Sequence, residues 1–225
     1  MPRFHHRYGK QTGTRRSSAA STVSAFFLLI LLSFAGCIST PTGGPPPPEK
    51  FYTLEYPSPR FPHLAPLGLS IEVGKIHTAD AFRTTAMIYR TGPFERQIYH
   101  YDRWVAPPGD LVASFILRDM ESSGLFEAVF SIHSMQMGDG FHLSGEVQEF
   151  LEIDEENRCR ASVVLLITLT DRSTQRIDER IILQKTYRYT GLSGEQTALG
   201  FAMSMSGAIE RLSAELIEDV HAALR

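Results

Sequence analysis

The chain has 225 residues, of which 22 are Lys or Arg and 25 are Asp or Glu. Five basic residues and no acidic one precede position 37, so the rest carries 17 basic against 25 acidic, a formal balance of −8. That surplus of acid excludes a nucleic-acid surface, which needs cations to neutralise phosphates, and about 189 residues suffice for one domain with its own core.

The leader comes first. Arg3, Arg7, Lys10, Arg15 and Arg16 precede an apolar run at residues 25–35, which ends in Phe34-Ala35-Gly36-Cys37. This order predicts a secretory signal peptide over residues 1–36. The run is about a dozen residues, short of the roughly 20 that a membrane-spanning helix needs. Phe34, Ala35 and Gly36 before Cys37 resemble a bacterial lipobox, although Phe34 stands where the pattern usually has Leu. The likeness implies that Cys37 is the acylated, palmitate-bearing first residue of the mature chain. An ordinary signal peptide cut nearby is the alternative. Ile38 and Ser39 follow the cysteine, with no Asp in either place. By resemblance to Gram-negative sorting rules, this points to the periplasmic face of the outer membrane.

Residues 37–50 form the lipidated cysteine and a tether. Pro41, Gly43, Gly44 and four successive prolines at 45–48 oppose both helix and sheet. In an extended polyproline form, the tether reaches up to roughly 40 Å. The folded domain is expected over residues 51–225.

Residues 51–56 read as a first strand, followed by a proline-rich loop. Leu69, Ile71 and Val73 alternate with polar neighbours as a second strand, and residues 86–90 make a third. Residues 97–105 make a fourth, with Tyr99, Tyr101 and Val105 on one face and Ile98, His100, Asp102 and Trp104 on the other. Asp110 is expected to cap a helix whose apolar positions are Leu111, Val112, Phe115, Ile116 and Met120, and Gly124 ends it. A strand follows at residues 125–132, then a hairpin signal at residues 138–140.

The next strand, residues 141–153, places Phe141, Leu143, Val147, Leu151 and Ile153 on one face and Ser144, Glu146, Gln148 and Glu152 on the other. Residues 160–170 are apolar on both faces, as a central strand is, and residues 176–189 alternate again. These three strands are expected to form an antiparallel meander. Ser193 and Gln196 fit a capping box for a long amphipathic helix running through Ala202, Met205, Ile209, Leu212, Leu216, Val220 and Leu224. Packing on its own sheet is the expectation for that helix, and a coiled-coil seam to another subunit is the alternative. The fold class is α+β: a mostly antiparallel sheet with two main helices packed on it.

A search for chemistry yields little. No two of His63, His77, His100, His133, His142 and His221 stand four apart, as ligands on one helix turn do. His133 and His142 are expected at solvated or edge positions. Cys159 is placed in a polar turn between Arg158 and Arg160, without a base to activate it. Glu152, Asp154, Glu155 and Glu156 lack the glycine and spacing of a calcium loop and read as a solvated charge run. Neither a cofactor nor a metal is expected. Trp104 is expected in the core, with Tyr99, Tyr101 and Trp104 together the alternative partner or lipid contact.

Several short pieces in order resemble one family. They are Phe51-Tyr52-Thr53-Leu54, Ile71-Glu72-Val73, Met87-Ile88-Tyr89, Arg103-Trp104 with Pro107, Leu111, and Gly124-Leu125-Phe126 with Val129. Together they resemble the PqiC-like auxiliary lipoprotein component of ABC-type transport systems, over about residues 50–225. The resemblance implies a non-enzymatic part of a lipid-transport machine. Its partners would be a mammalian-cell-entry (MCE) tunnel protein and an ABC permease with its ATPase; phospholipid would be the cargo, and a homo-oligomeric ring is compatible. The alternative from another class is an envelope-integrity or outer-membrane assembly lipoprotein that binds another protein or peptidoglycan.

Overall fold

The computed structural model describes residues 44–133, 139–155, 158–193 and 195–225. The lipobox, most of the tether, Gly138 of the hairpin signal and Gly194 of the expected capping segment lie outside them. The strands are β1 (Lys50–Tyr52), β2 (Leu67–Thr78), β3 (Ala86–Arg90), β4 (Gln97–Trp104), β5 (Phe126–Ser131), β6 (Phe141–Glu155), β7 (Arg158–Asp171) and β8 (Ile181–Ser193). The two helices are α1 (Pro108–Ser123) and α2 (Ala198–Leu224).

All eight strands join one sheet, and β6 is its spine. Along its whole length β6 pairs antiparallel with β7, and β7 pairs antiparallel with β8. These long ladders make up the expected meander. The other edge of β6 is shared: its first half runs parallel to β2, and Glu152 and Ile153 pair with β3. Beyond β2 lies β5, and beyond β3 lie β4 and then β1. The turn near Gly140 therefore closes no hairpin, because β5 and β6 flank β2 on opposite sides and both run parallel to it.

Both helices cover one face of the sheet, α1 on β2 and β5, α2 on β7 and β8. The apolar residues spaced by three and four along α2 face this chain's own core, where Met205, Ile209, Leu212, Leu216 and Val220 are fully buried. Each such side chain contributes about 1.5–3 kcal/mol, so the stripe is satisfied within one copy. Helix α1 opens with Pro108 at its first position and closes at Gly124, whose φ of 65° is the left-handed cap that glycine adopts without strain.

Two expected caps differ. Asp110 lies inside the first turn of α1, and the side-chain acceptor there is Thr78 Oγ1 of β2, which receives the Gly109 N–H at 2.8 Å. Gly109 is needed at that approach, because a Cβ on it would lie 2.4 Å from the Ile76 carbonyl oxygen. On α2 the cap is Thr197, whose hydroxyl accepts the Gly200 N–H at 3.0 Å, and Ser193 ends β8 instead.

Strand faces depart from strict alternation in two places. On β6, Val147 stands opposite Leu165 and Glu149 opposite Val164, so Gln148 is an extra residue. Such a bulge exchanges the two faces beyond it. Phe150 and Glu152 consequently turn toward the helices. Leu151 and Ile153 turn to the opposite face, where they pack with Phe82 and Ile88. On β4 a register shift between Ile98 and Arg103 brings Tyr99 and Trp104 to the helix-covered side, against the expectation of opposite faces.

Candidate functional site

Tyr99, Tyr101 and Trp104 are divided by the fold. Trp104 is 1% exposed, and its indole meets Phe150 of β6 and Phe201 of α2 edge-on, each at 5.3 Å between centroids. It is a core tryptophan. Tyr101 is 42% exposed near the outer edge of the sheet, on the strand that pairs with β1, where Phe51 and Val105 are exposed too. Tyr99 lies between these extremes. Its ring sits 5.2 Å from Tyr89, and its hydroxyl donates to Glu152 Oε2 at 2.6 Å.

That hydrogen bond marks a cavity of about 320 Å³ lined by Tyr89, Ile98, Tyr99, Glu152, Asp154 and Cys159, among others. Far from being part of a solvated run, Glu152 is buried, at 1% exposure. Burial holds its carboxyl above the usual carboxylate range and Asp154 adds to the effect, against the opposing Tyr99 hydrogen bond and the nearby Cys159 thiol. Cys159 belongs to β7 and no turn: opposite Asp154 in the ladder, it points into the interior with Ala161 and Val163. Its thiol donates to Asp154 Oδ1 at 3.7 Å. Burial and the neighbouring carboxylates Glu152 and Asp154 push that thiol up to about 12, the reverse of an activated nucleophile.

Other ionisable groups are consumed in ties between elements. Asp119 of α1, fully buried, accepts Tyr56 Oη at 2.8 Å and Ser213 Oγ at 2.7 Å on Oδ2, while Arg118 grips Oδ1. This joins the loop after β1, α1 and α2. Lys185 of β8 reaches Glu215 at 2.7 Å and Asp219 at 2.6 Å on α2; Tyr187 also donates to Asp219 and Tyr189 to Glu215. His142 is buried, contrary to the solvated or edge position expected for it: its Nδ1 lies 2.7 Å from Glu72 Oε1, and Arg172 reaches the same oxygen at 3.2 Å. Burial, helped by Arg172, lowers the His142 pKa, and Glu72 opposes that shift. His133 lies exposed on the rim of a groove of about 510 Å³ between α1 and β2, beside Lys75 and Leu117.

Among the described residues, no group of three or more His, Cys, Asp or Glu side chains is placed to hold a metal ion. Among the same residues, no helix is long and apolar enough to cross a membrane.

Residues 52–217 match the family described as ABC-type transport auxiliary lipoprotein component. The chain belongs to this family. Among solved structures, protein XCC0632 from Xanthomonas campestris, a DUF330 protein, is similar at a TM-score of 0.69 and 21% identity, covering 77% of this chain and 96% of that one. A second structure, of an uncharacterized protein, is similar at a TM-score of 0.59 and 10% identity over 77% of this chain and 99% of that one. The hypothetical protein CT253 from Chlamydia trachomatis reaches a TM-score of 0.48 at 10% identity, over 70% and 98% of the two chains. No curated protein matches the sequence. At such identities the first two likenesses carry the fold alone.

In this auxiliary lipoprotein, sequence reasoning missed the interior pair of Glu152 and Cys159. One signal for it was available: Phe150 is the largest apolar residue in residues 147–153, and regular alternation would have left it facing away from the core.

Proposed function

We propose that this protein is a non-enzymatic, lipid-anchored auxiliary component of an ABC-type transport system that moves phospholipid between the membranes of a Gram-negative envelope. In this reading Cys37 carries the anchor at the periplasmic face of the outer membrane. The domain docks there on the outward end of an MCE-type tunnel protein, itself fed by the permease and ATPase. The match of residues 52–217 to the auxiliary family carries the reading. The uses found for reactive groups support its non-enzymatic part: Cys159 is held protonated, His142 is bound to Glu72, and Asp119, Glu215 and Asp219 join elements of the fold. The anchor and tether confine the domain near one membrane, which raises its effective concentration for a bridging partner.

The test is an in vivo crosslink and pull-down of tagged full-length protein beside Cys37→Ala, identifying both proteins and lipids. Recovery of an MCE-type protein, weakened when Cys37 is replaced, is the expected result. Recovery of an assembly factor or peptidoglycan without any MCE or ABC component overturns the reading.

A further inference from the structure

Donors and acceptors around Glu152 do not balance. The Tyr99 hydroxyl donates to Glu152 Oε2, and the Cys159 thiol and the Gln196 amide, at 2.8 Å, both donate to Asp154 Oδ1. The Tyr89 hydroxyl is committed to Gln97 Oε1 at 2.6 Å. Glu152 Oε1 is buried and, among the described residues, accepts no hydrogen bond. Interior carboxylate oxygens almost always have a donor, since an unpaired one loses its hydration without replacement. Of the donors on the adjoining cavity wall, the Cys159 thiol and the Gln196 amide are directed to Asp154, and the rest of the wall is the tyrosine rings, the Ile98 side chain and the acidic Asp154. His100, on the exposed side, also lines it. Arg90 and Arg160 pair across the ladders with Ile153, on the strand face opposite Glu152.

A cavity with two carboxyl groups, two tyrosine rings and an unpaired acceptor lacks one thing, a cation that carries N–H donors. We propose that this cavity binds a primary ammonium group, with Glu152 Oε1 as its hydrogen-bonded counter-ion, Asp154 as the second carboxylate, and Tyr89 and Tyr99 as aromatic walls. Its volume of about 320 Å³ suits a small aminoalkyl group and excludes a whole acyl chain. A primary ammonium has three donors on one atom, whereas a quaternary ammonium has none. The ionised Glu152 carboxylate beside the bound ammonium makes a charge-assisted hydrogen bond, stronger than one between neutral groups. The proposal does not depend on the transport reading: partner capture can fail while the amine binds.

The experiment uses full-length protein in detergent micelles, titrated calorimetrically with ethanolamine, beside choline. The expected result is saturable ethanolamine binding, with choline and Glu152→Gln each weaker by about tenfold or more. The ring resonances of Tyr89 and Tyr99, which wall the cavity, are a second readout on unaltered protein, and ethanolamine should shift them. Asp154→Asn, at the cavity's other acid, keeps a variant available if Glu152→Gln does not fold. Micelles doped with phosphatidylethanolamine or phosphatidylcholine separate the sources of the amine. A shift of the Tyr89 and Tyr99 resonances with the first alone assigns a lipid headgroup, and a shift only with free ethanolamine assigns a soluble amine. Equal binding of choline and ethanolamine, unchanged Tyr89 and Tyr99 resonances, or full binding by Glu152→Gln overturns the proposal.

Discussion

Asp119→Ala removes the one acceptor shared by the loop after β1, α1 and α2. Tyr56 and Ser213 are both buried and both donate to Asp119 Oδ2. Without it each hydroxyl is left unpaired at about 1–3 kcal/mol. Arg118, whose side chain is 36% exposed, rehydrates and adds little. The expected loss is therefore about 3–5 kcal/mol, a large share of the 5–15 kcal/mol typical of a domain. Trp104, the one tryptophan of the chain, is buried between Phe150 and Phe201 and reports urea unfolding by its fluorescence. The midpoint should fall with little change in slope. Adding Tyr56→Phe and Ser213→Ala to Asp119→Ala removes the orphaned hydroxyls, so the triple variant should be less destabilised than the sum of the three single changes, by about 2 kcal/mol. A loss below about 1 kcal/mol for Asp119→Ala, or strict additivity in the triple variant, would refute the argument.

Three further outcomes are expected. Cys159, with its thiol pushed up to about 12, should resist disulfide reagents at pH 8 in folded protein and react promptly in urea; fast labelling of the native state would contradict its burial. The pKa of His142 is lowered from 6.5, so the folded state binds fewer protons than the unfolded one; stability should be full above pH 6.5 and fall as pH drops through the lowered value, a dependence that His142→Gln should flatten in urea titrations. Two glycine-to-alanine changes should act with opposite sign: Gly109→Ala drives a Cβ toward the Ile76 carbonyl and should cost about 1–3 kcal/mol, whereas Gly207→Ala, in open space on α2, should stabilise by roughly 0.5–1 kcal/mol.

The meander and both helices were legible because their signals are local and repeated. β7 is apolar on both faces since it lies between β6 and β8, and α2 keeps one stripe in step for 27 residues. Caps were harder to read. At α1 the acceptor comes from Thr78, thirty-one residues upstream of Gly109, which no local pattern could reveal. At α2 two polar residues competed, and Thr197, adjoining the first turn, took the position expected of Ser193. The partners of β5 and β6 were equally hidden, because a turn-like stretch before β6 reads as a hairpin whether the strands pair with each other or with a third between them. His142 looked solvated because its neighbour Glu72 is seventy residues away.

The misplaced candidate residues share one physical cause. A strand read with period two carries its phase forward, so a single inserted residue reverses every later assignment. Before the bulge, Leu143 and Val147 face the helices as expected; after it, Phe150 fills the space beside Trp104 that Leu151 would otherwise have taken. Phe150 and Glu152 are two residues apart, and a strand that turns one inward turns the other inward as well. The slip that completes the aromatic core with Phe150 thus also brings a carboxyl group to the cavity wall, where Tyr99 meets it because β4 slips in register too. Leu151 and Ile153 lose nothing by the exchange, for Phe82 and Ile88 cover them on the other face. Glu152 is the residue whose new position its hydrophobic neighbours do not explain, which is why the cavity beside it is the place to look for a ligand.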